Sequence, residues 1–186
     1  DVGNWQKSQI FTHIDKPFFE LDGKKVGIIG LGDIGRNFAK KARAFDCEVM
    51  YFSTSGKNSN SEYKQVSLDE LLKTCDIISI HCPLNENTKD LLNYENMKNI
   101  KDGAILLNLG RGGIINEADL AKIIDEKEIY CGIDVVAVEP ILESNPLLKV
   151  KNKDRLLLTP HIGWASIEAR NKLVQMVANN IRDFLN

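Results

Sequence analysis

A glycine-rich turn between a predicted strand and a predicted helix constrains this chain more than any other feature of its sequence. Residues Val26–Ile29 form a short apolar run, which is typical of a buried strand. Gly30, Gly32 and Gly35 follow with the spacing G-x-G-x-x-G, and residues 34–45 have the amphipathic pattern of a helix. A strand, a glycine turn of this spacing and a helix together form the first half of a dinucleotide-binding unit.

Each glycine has its own steric role in such a unit. We expect Gly30 to permit the tight turn, Gly32 to let the backbone approach a pyrophosphate, and Gly35 to let the helix lie close to the strand. We expect Asp33 and Ile34 at the cofactor, because Ile34 opens the predicted helix and the free N–H groups and positive dipole end of a helix favour phosphate. The spacing alone also fits a merely structural turn, but its place between a strand and a helix favours dinucleotide binding.

The composition excludes several other classes of protein. The chain has 186 residues, 43% of them hydrophobic and 27% charged, which is typical of an ordinary globular domain. A net charge of −2 gives no electrostatic reason to bind nucleic acid or an anionic membrane. No apolar run approaches the ~20 residues that span a bilayer, and no signal peptide is visible, so we expect a cytoplasmic protein.

The four cysteines do not form a metal site in this interpretation. They include no C-x-x-C pair and have no histidine cluster beside them, so we expect reduced, mostly buried thiols and no bound metal. The cysteines are Cys47, Cys75, Cys82 and Cys131.

Predicted strands and helices alternate along the rest of the chain. Further strands are predicted at residues 48–52, 76–81, 104–109, 131–136 and 156–159, and helices at 67–74, within 88–100, at 116–126 and at 166–185. Ser67 and Asn116 are the predicted N-caps of two of these helices. The alternation predicts an α/β fold of Rossmann type, a doubly wound parallel sheet with helices on both faces. We divide the chain into a lead-in segment at 1–22, the dinucleotide-binding domain at 23–165 and a final helix at 166–186.

Polar residues follow each predicted strand, and they are the candidate site because ligands bind outside the C-terminal ends of parallel strands. Taken singly, each of these residues has another interpretation. The arginine also fits a surface salt bridge, the glutamate a solvated loop carboxylate, and the histidine a capping residue. Their presence together at one rim favours a functional site. The candidates are Ser53, Thr54, His81, Cys82, Pro83, Gly110, Arg111, Asp134, Glu139, His161 and Gly163.

From residue 23 to its end, the chain resembles the coenzyme-binding domain of the D-isomer-specific 2-hydroxyacid dehydrogenases. The matching stretches stand in the family's order and at about its spacing. They are Gly30-Leu31-Gly32-Asp33-Ile34-Gly35, His81-Cys82-Pro83-Leu84 with Thr88, Asn108-Leu109-Gly110-Arg111-Gly112-Gly113, Asp134-Val135 with Glu139-Pro140, and Thr159-Pro160-His161-Ile162-Gly163. The resemblance adds Thr88 and Leu109 to the residues expected at the cofactor. The end of the chain, from Pro160 onwards, is similar to the glycerate dehydrogenase branch.

The resemblance implies a reversible hydride transfer between NAD(P)H and a small D-2-hydroxy or 2-oxo acid, such as glycerate or hydroxypyruvate. It makes His161 the general acid and base and Glu139 the carboxylate that orients its ring. Imidazole suits this task because it titrates near neutral pH. Arg111 would bind the substrate carboxylate, which a planar guanidinium fits bidentately. Asp134 would meet the nicotinamide carboxamide, and His81 would form part of the cofactor wall.

One departure from the family concerns the choice of cofactor. NAD-preferring members carry an aspartate at the end of the second strand, where this chain has Ser53, followed by Thr54 and Ser55 and then Lys57. Without that carboxylate a 2′-phosphate is not repelled, and the hydroxyls and Lys57 could bind it. We therefore expect NADP(H) to be accepted beside NAD(H). The alternative is a solvated Lys57 and NAD held through the serine alone.

A second departure is that the family's substrate domain is absent from this chain. Residues 1–22 and 166–186 resemble the crossover segments that join the two domains. We therefore expect the chain to bind its cofactor but to turn over poorly by itself. The family is usually dimeric through this domain, and the apolar Trp5 and Phe11 suit the interface of a homodimer. The competing functions are a dinucleotide-sensing module without turnover and a different Rossmann enzyme.

Overall fold

One parallel sheet organises the computed structural model, which describes residues 3–14, 18–57 and 60–185. Within the described residues the sheet has seven strands in the order β3-β2-β1-β4-β5-β6-β7, and every neighbouring pair is parallel. The strands are β1 (Lys25–Ile29), β2 (Glu48–Phe52), β3 (Lys64–Gln65), β4 (Ile77–Ile80), β5 (Ile105–Asn108), β6 (Tyr130–Ile133) and β7 (Leu156–Leu158). The strand order reverses at β1, so the crevice of a doubly wound sheet opens between β1 and β4.

The α-helices of the described residues are α1 (Asp33–Ala44), α2 (Leu68–Thr74), α3 (Tyr94–Met97), α4 (Glu117–Glu126) and α5 (Ile167–Leu185). Short 3₁₀ helices lie at Trp5–Lys7, Pro146–Lys149 and Lys153–Arg155. The Rossmann-type fold is confirmed. Both predicted caps are also confirmed, because Ser67 Oγ accepts the Glu70 N–H (3.1 Å) and Asn116 Oδ1 accepts the Asp119 N–H (3.1 Å).

Helices lie on both faces of the sheet, but they cover the two faces unequally. On one face α1 packs over Val26 and Ile28 of β1, and on the other α2, α3 and α4 enclose the larger apolar core. The face that α1 covers continues across β5 and β7, where Ile105 and Leu157 are 39% and 66% exposed. That half of the face is bare in the described part of the chain.

The two ends of the chain also expose apolar side chains. The predicted final helix is confirmed as α5, yet none of its described residues is buried, and Phe184 is 89% exposed. In the lead-in segment Trp5 and Phe11 are exposed, although the Trp5 indole donates to the Phe11 carbonyl oxygen (3.0 Å). Residues 1, 2, 15–17 and 186 of these terminal segments, and 58 and 59 of the loop after β2, lie outside the described residues.

Element boundaries differ from the sequence prediction where a side chain or a neighbouring strand decides them. The strand predicted at 131–136 is observed as Tyr130–Ile133, because its partner β7 ends at Leu158, opposite Ile133. The one or two short helices predicted within 88–100 are confirmed as one, α3, which Asn93 caps. The two-residue strand β3 was not predicted, since Lys64–Gln65 is polar and too short to show a period.

The glycine turn has the steric constraints expected of it. Gly30 has φ +93°, and a Cβ at this position would lie 2.7 Å from the Cys82 backbone nitrogen. A Cβ on Gly35 would lie 2.3 Å from the Gly30 carbonyl oxygen, whereas a Cβ on Gly32 would meet no atom within 4 Å. Gly30 and Gly35 are therefore required by the protein's own packing, while Gly32 faces open space.

We predict that Gly35→Ala lowers the free energy of unfolding by about 1–3 kcal/mol, because the added methyl group overpacks rigid backbone. Gly32→Ala is the matched control. Its new methyl group has no neighbour and its φ is −79°, so it should cost at most about 1 kcal/mol, the preference for glycine over alanine at a helix N-cap. Chemical denaturation of the two variants measures the difference. Equal stabilities would contradict the packing argument.

Candidate active site

The C-terminal edge of the sheet brings the predicted site residues to one side of the molecule. The glycine turn follows β1, Ser53 follows β2, and His81 follows β4. Arg111 follows β5, Asp134 and Glu139 follow β6, and His161 follows β7. This common edge exists because every strand is parallel to its neighbours, so all of them end on the same side.

His161 and Glu139 form a hydrogen-bonded pair on this edge. The imidazole Nδ1 lies 2.7 Å from Glu139 Oε2, and the Val136 N–H donates to the other carboxylate oxygen, Oε1 (3.0 Å). The hydrogen bond from His161 and, after it, the Val136 N–H hold the pKa of Glu139 below its usual value of 4.5. Glu139 is therefore ionised at neutral pH and can only accept. Nδ1 must carry the proton, which leaves Nε2 as the nitrogen that can exchange a proton with a ligand.

The backbone of His161 is held in an unusual conformation. Its φ is +53°, in the left-handed region that non-glycine residues seldom adopt, and its N–H donates to the carbonyl oxygens of Asp134 (2.9 Å) and Thr159 (3.0 Å). Such strain persists only where the surrounding structure determines it, and it clusters at functional sites. The pair with Glu139 therefore has a fixed backbone on the histidine side.

Asp134 supplies much of that constraint. Its side chain is 3% exposed and accepts hydrogen bonds from Thr159 Oγ1 (2.5 Å), the Ile162 N–H (2.9 Å) and the Gly163 N–H (2.8 Å). Burial by itself raises the pKa of this carboxyl, but the three hydrogen bonds outweigh it, so the pKa of Asp134 lies below its usual value of 3.8. This role in holding residues 159–163 was not predicted from the sequence. The contact with a carboxamide stays a prediction.

Arg111 lies on the loop after β5, next to the loop that carries Glu139. The buried Asn108 shapes this loop through its side chain, which donates to the Arg111 carbonyl oxygen (3.0 Å) and accepts the Gly110 N–H (3.1 Å). A Cβ on Gly112 would lie 2.0 Å from the Val136 carbonyl oxygen, so the two loops are in close backbone contact. The guanidinium itself is exposed and donates to the Gly110 carbonyl oxygen (2.8 Å).

The cofactor side of the edge fits a dinucleotide on two observations of this structure. Open space faces the Cα of Gly32, where a pyrophosphate would meet the start of α1. Ser53 is 7% exposed, and among the described residues its Oγ has no hydrogen-bond partner. A buried hydroxyl without a partner costs about 1–3 kcal/mol, and a ribose hydroxyl would satisfy it. Thr54 is half-buried beside it, and Lys57 is exposed.

The segment after β4 forms a rigid wall. The His81 ring packs on Phe38 of α1 with ring centroids 5.1 Å apart, and its Nε2 lies 2.9 Å from Ser79 Oγ. Burial lowers the pKa of His81, which keeps the ring neutral near pH 7 and suits a wall better than a proton donor. Cys82 packs against Gly30, and burial raises the pKa of its thiol to about 11.

Thr88 and Leu109, expected at the cofactor, have different surroundings. Thr88 is completely buried, and its hydroxyl donates to the Pro83 carbonyl oxygen (2.6 Å) and accepts the Asn85 N–H (2.8 Å). Its hydroxyl therefore shapes the loop after β4, and any influence on a cofactor passes through that loop. Leu109 is 54% exposed, and its Cδ2 would lie 3.4 Å from a Cβ on Gly163.

An apolar cavity of about 660 Å³ adjoins the His161–Glu139 pair. Ile141, Leu148 and Leu158 supply its apolar lining. Its size is in the range of small-molecule sites, and the pair stands on its wall.

The cysteines and the other possible metal ligands of the described residues do not form a metal site. All four thiols are free and buried, and burial raises the pKa of Cys75 to about 11 and that of Cys131 to about 12. Over residues 3–14, 18–57 and 60–185, no group of at least three histidine, cysteine or acidic side chains is placed to bind a metal ion. No helix in that part of the chain is both long and apolar enough to cross a membrane.

Comparison with known proteins identifies relatives of the whole chain. Residues 1–163 match the family model described as D-isomer specific 2-hydroxyacid dehydrogenase, NAD binding domain. The chain is 42% identical to a hydroxypyruvate reductase of Blautia hydrogenotrophica and 35% identical to a glycerate dehydrogenase of Methylorubrum extorquens. Each alignment covers 98% of this chain and 57% of the relative, so the chain spans little more than half of their length.

A solved structure is also similar to this chain over nearly its whole length. An acyclic imino acid reductase in complex with NADPH and D-Arg superimposes with a TM-score of 0.82 at 32% identity. The superposition covers 99% of this chain and 58% of that one.

We predict that Asp134→Asn lowers the free energy of unfolding at neutral pH by about 1–3 kcal/mol, because an amide has one acceptor oxygen for three donors. The folded-state pKa of Asp134 is depressed, so its stabilising effect is present above the usual value of 3.8 and is lost as the pH falls through the folded value. The difference from the wild type should shrink below pH 4 (about the pKa of an unfolded aspartate). Denaturation curves across pH measure it.

The control for this experiment is Asp102→Asn. That carboxylate is 74% exposed in a surface pair with Lys127 (2.9 Å), so its loss should cost less than about 1 kcal/mol. An Asp134→Asn variant no less stable than this control would contradict the assigned role.

Proposed function

This chain belongs to the D-isomer specific 2-hydroxyacid dehydrogenase family, and we propose that it is the cofactor-binding domain of an enzyme. That enzyme reduces a small 2-oxo acid to the D-2-hydroxy acid and catalyses the reverse reaction. The observation that carries the proposal is the 2.7 Å contact between His161 Nδ1 and Glu139 at the edge that holds the glycine turn. A dinucleotide-sensing module has no use for a proton-donating histidine with a fixed tautomer.

The substrate class is a glycerate- or hydroxypyruvate-like acid. The names of the two relatives support it, as does the order of arginine, glutamate and histidine along the chain. A substrate of this kind has a carboxylate for Arg111 and, beside it, a carbonyl oxygen that needs a proton during reduction. Both demands match side chains at this edge.

The residues that would hold the cofactor lie at the C-terminal ends of β1, β2 and β6. The turn from Gly30 to Gly35 would take the pyrophosphate, Ser53 the adenosine ribose, and Asp134 the carboxamide. When bound, the nicotinamide ring donates or accepts the hydride.

The protein's own part in the reaction is to orient the substrate and move one proton. In reduction His161 Nε2 donates a proton to the substrate's carbonyl oxygen, and in oxidation it takes the proton from the hydroxyl group. Glu139 keeps the proton on Nδ1 and stabilises the imidazolium form. Arg111 binds the substrate carboxylate and draws electron density from the neighbouring carbonyl group.

The apolar surfaces of the chain support a larger assembly. We propose that a substrate domain outside these residues completes the active-site cleft, with 1–22 and 166–186 as crossover segments around the domain at 23–165. The exposed Trp5 and Phe11 support a homodimer through this domain, which light scattering measures, and a strict monomer at high concentration would contradict it. We also propose a cytoplasmic location, which the four free thiols support because cysteines stay reduced in that compartment.

The experiment that tests the function follows absorbance of the reduced nicotinamide after hydroxypyruvate is added to the full-length enzyme with NADH or NADPH. The wild type should oxidise the cofactor, and His161→Ala should lower kcat by about 10²-fold or more, the usual contribution of a general acid. Glu139→Gln should show a smaller loss, and the isolated 186-residue chain should bind cofactor but turn over poorly. Binding of both cofactors without oxidation by any 2-oxo acid would favour the sensing module.

Cofactor choice is tested at position 53. Ser53→Asp should weaken NADPH binding relative to NADH by at least about tenfold, because a carboxylate accepts the ribose hydroxyl and repels a 2′-phosphate. Ser53→Ala is the control, since removing a buried hydroxyl without a partner should not lower stability and should affect both cofactors alike. If Lys57 binds the phosphate, Lys57→Ala weakens NADPH alone. Fluorescence titration gives the Kd values, and equal effects on both cofactors would contradict the proposal.

A further inference from the structure

The segment that carries Glu139 has no regular secondary structure of its own. Residues 134–145 connect β6 to the 3₁₀ helix at Pro146–Lys149 without a helix or strand, and Val138 and Leu142 are more than half exposed. A loop of this kind does not hold a carboxylate within hydrogen-bond distance of an imidazole unless other groups fix its backbone. Contacts from outside the loop must therefore fix it.

One carboxylate contacts this segment at two places. Glu117, the first residue of α4, accepts the Ala137 N–H at Oε1 (2.5 Å) and the Asn145 side-chain amide at Oε2 (2.7 Å). Ala137 follows Val136, whose own N–H donates to Glu139 (3.0 Å). Glu117 thus holds the backbone at Ala137, next to the Val136 N–H that donates to Glu139. It also holds the far end of the loop at Asn145.

Both ends of this bridge are fixed. On one side, the Asn116 cap determines where α4 begins and therefore where Glu117 stands. On the other, Asn145 is 8% exposed and its Oδ1 accepts the Leu147 N–H (2.9 Å), so its amide has a fixed direction. Glu117 is half-buried and lies in the first turn of α4, where the helix dipole favours a negative charge.

The same region connects the loop of Glu139 with the loop of Arg111. Gly112 makes close backbone contact with Val136, and Gly112 is the neighbour of Arg111. A short stretch of chain leads from Arg111 to Glu117 at the start of α4. The position of the substrate-binding arginine and that of the histidine's partner are therefore set by one connected piece of structure.

We propose that Glu117 is a positioning residue that holds Glu139 in contact with His161, an inference that rests on the proposed function. Glu117 touches neither substrate nor cofactor in this proposal. Its loss lets residues 136–145 move, which weakens the Glu139–His161 contact and releases the imidazole tautomer. The glycine turn and Ser53 lie at other strands, and Asp134 precedes the released residues and keeps its hydrogen bonds to residues 159–163, so cofactor affinity changes little.

The test uses a polarity swap in the full-length enzyme, with hydroxypyruvate as substrate. In Glu117→Gln an amide donor faces the Asn145 amide, and in Asn145→Asp a carboxylate faces Glu117. Each single variant therefore places two donors or two acceptors against each other. Each should lower kcat by about tenfold, because small displacements of catalytic groups are costly. The Kd of the cofactor should change less than twofold (about 0.4 kcal/mol), and the loss in kcat should exceed any rise in KM. The double variant restores a donor–acceptor pair and should recover kcat to within about threefold of the wild type.

Asp119→Asn is the matched control. Asp119 lies on the same helix and its carboxylate accepts the Tyr94 N–H (2.9 Å), a comparable contact that leads to α3 instead of the site. It should lower stability without changing kcat. If Glu117→Gln does not fold, Asn145→Ala, which removes one of the two contacts, takes its place.

A second readout does not depend on turnover. The imidazole nitrogen chemical shifts of His161, assigned with His161→Ala, report which nitrogen carries the proton, and Glu117→Gln should convert the Nδ1-protonated signature into a mixture of tautomers. Wild-type kcat and wild-type shifts in Glu117→Gln would overturn the inference, as would losses that follow stability in every variant, Asp119→Asn included. A wild type without turnover would contradict the proposed function instead, and the nitrogen shifts would then decide the role of Glu117.

Discussion

The buried carboxylate of Asp134 is the constraint on which the candidate site depends. It lies directly after β6 and accepts three hydrogen bonds from residues on either side of His161. A buried charge is costly unless its lone pairs are satisfied, and here the donors come from the segment after the neighbouring strand. The interaction joins the ends of β6 and β7 and holds His161 with a φ of +53°. The contact with Glu139 then holds the imidazole ring on this backbone.

The remaining parts of the site are arranged around that fixed histidine. Glu139 approaches the ring from a loop without secondary structure, and that loop takes its position from Glu117 and from the close contact of Gly112 with Val136. Three carboxylates therefore act as hydrogen-bond acceptors in the site. Asp134 holds residues 159–163, Glu139 holds the imidazole ring of His161, and Glu117 holds the loop that carries Glu139. The edge at β1 and β2 is built differently, since it presents backbone at the glycine turn and the buried hydroxyl of Ser53.

The two faces of the sheet differ in how much of their apolar surface is covered by helices. One face is enclosed by α2, α3 and α4, whereas the other is covered at β1 and β2 but bare at β5 and β7. The helix α5 and the lead-in segment expose apolar side chains as well. An unpaired apolar surface of this kind is unusual for an isolated domain. It is consistent with a chain that spans 57% of its hydroxypyruvate reductase relative and that would gain its remaining contacts from a second domain or a second copy.

The order of residues along the chain was enough to predict the fold class, the glycine turn, the two N-caps and the edge at which the polar residues meet. These features depend on local periodicity, on backbone conformations that glycine permits, and on the rule that parallel strands end on one side. The contacts in the folded protein were needed to show that Thr88 is buried, that Asp134 holds the backbone around His161, and that Glu117 contacts the loop of Glu139. Each of these contacts joins donors and acceptors that are more than ten residues apart or that lie within one loop. No residue pattern in the chain predicts which of them will meet.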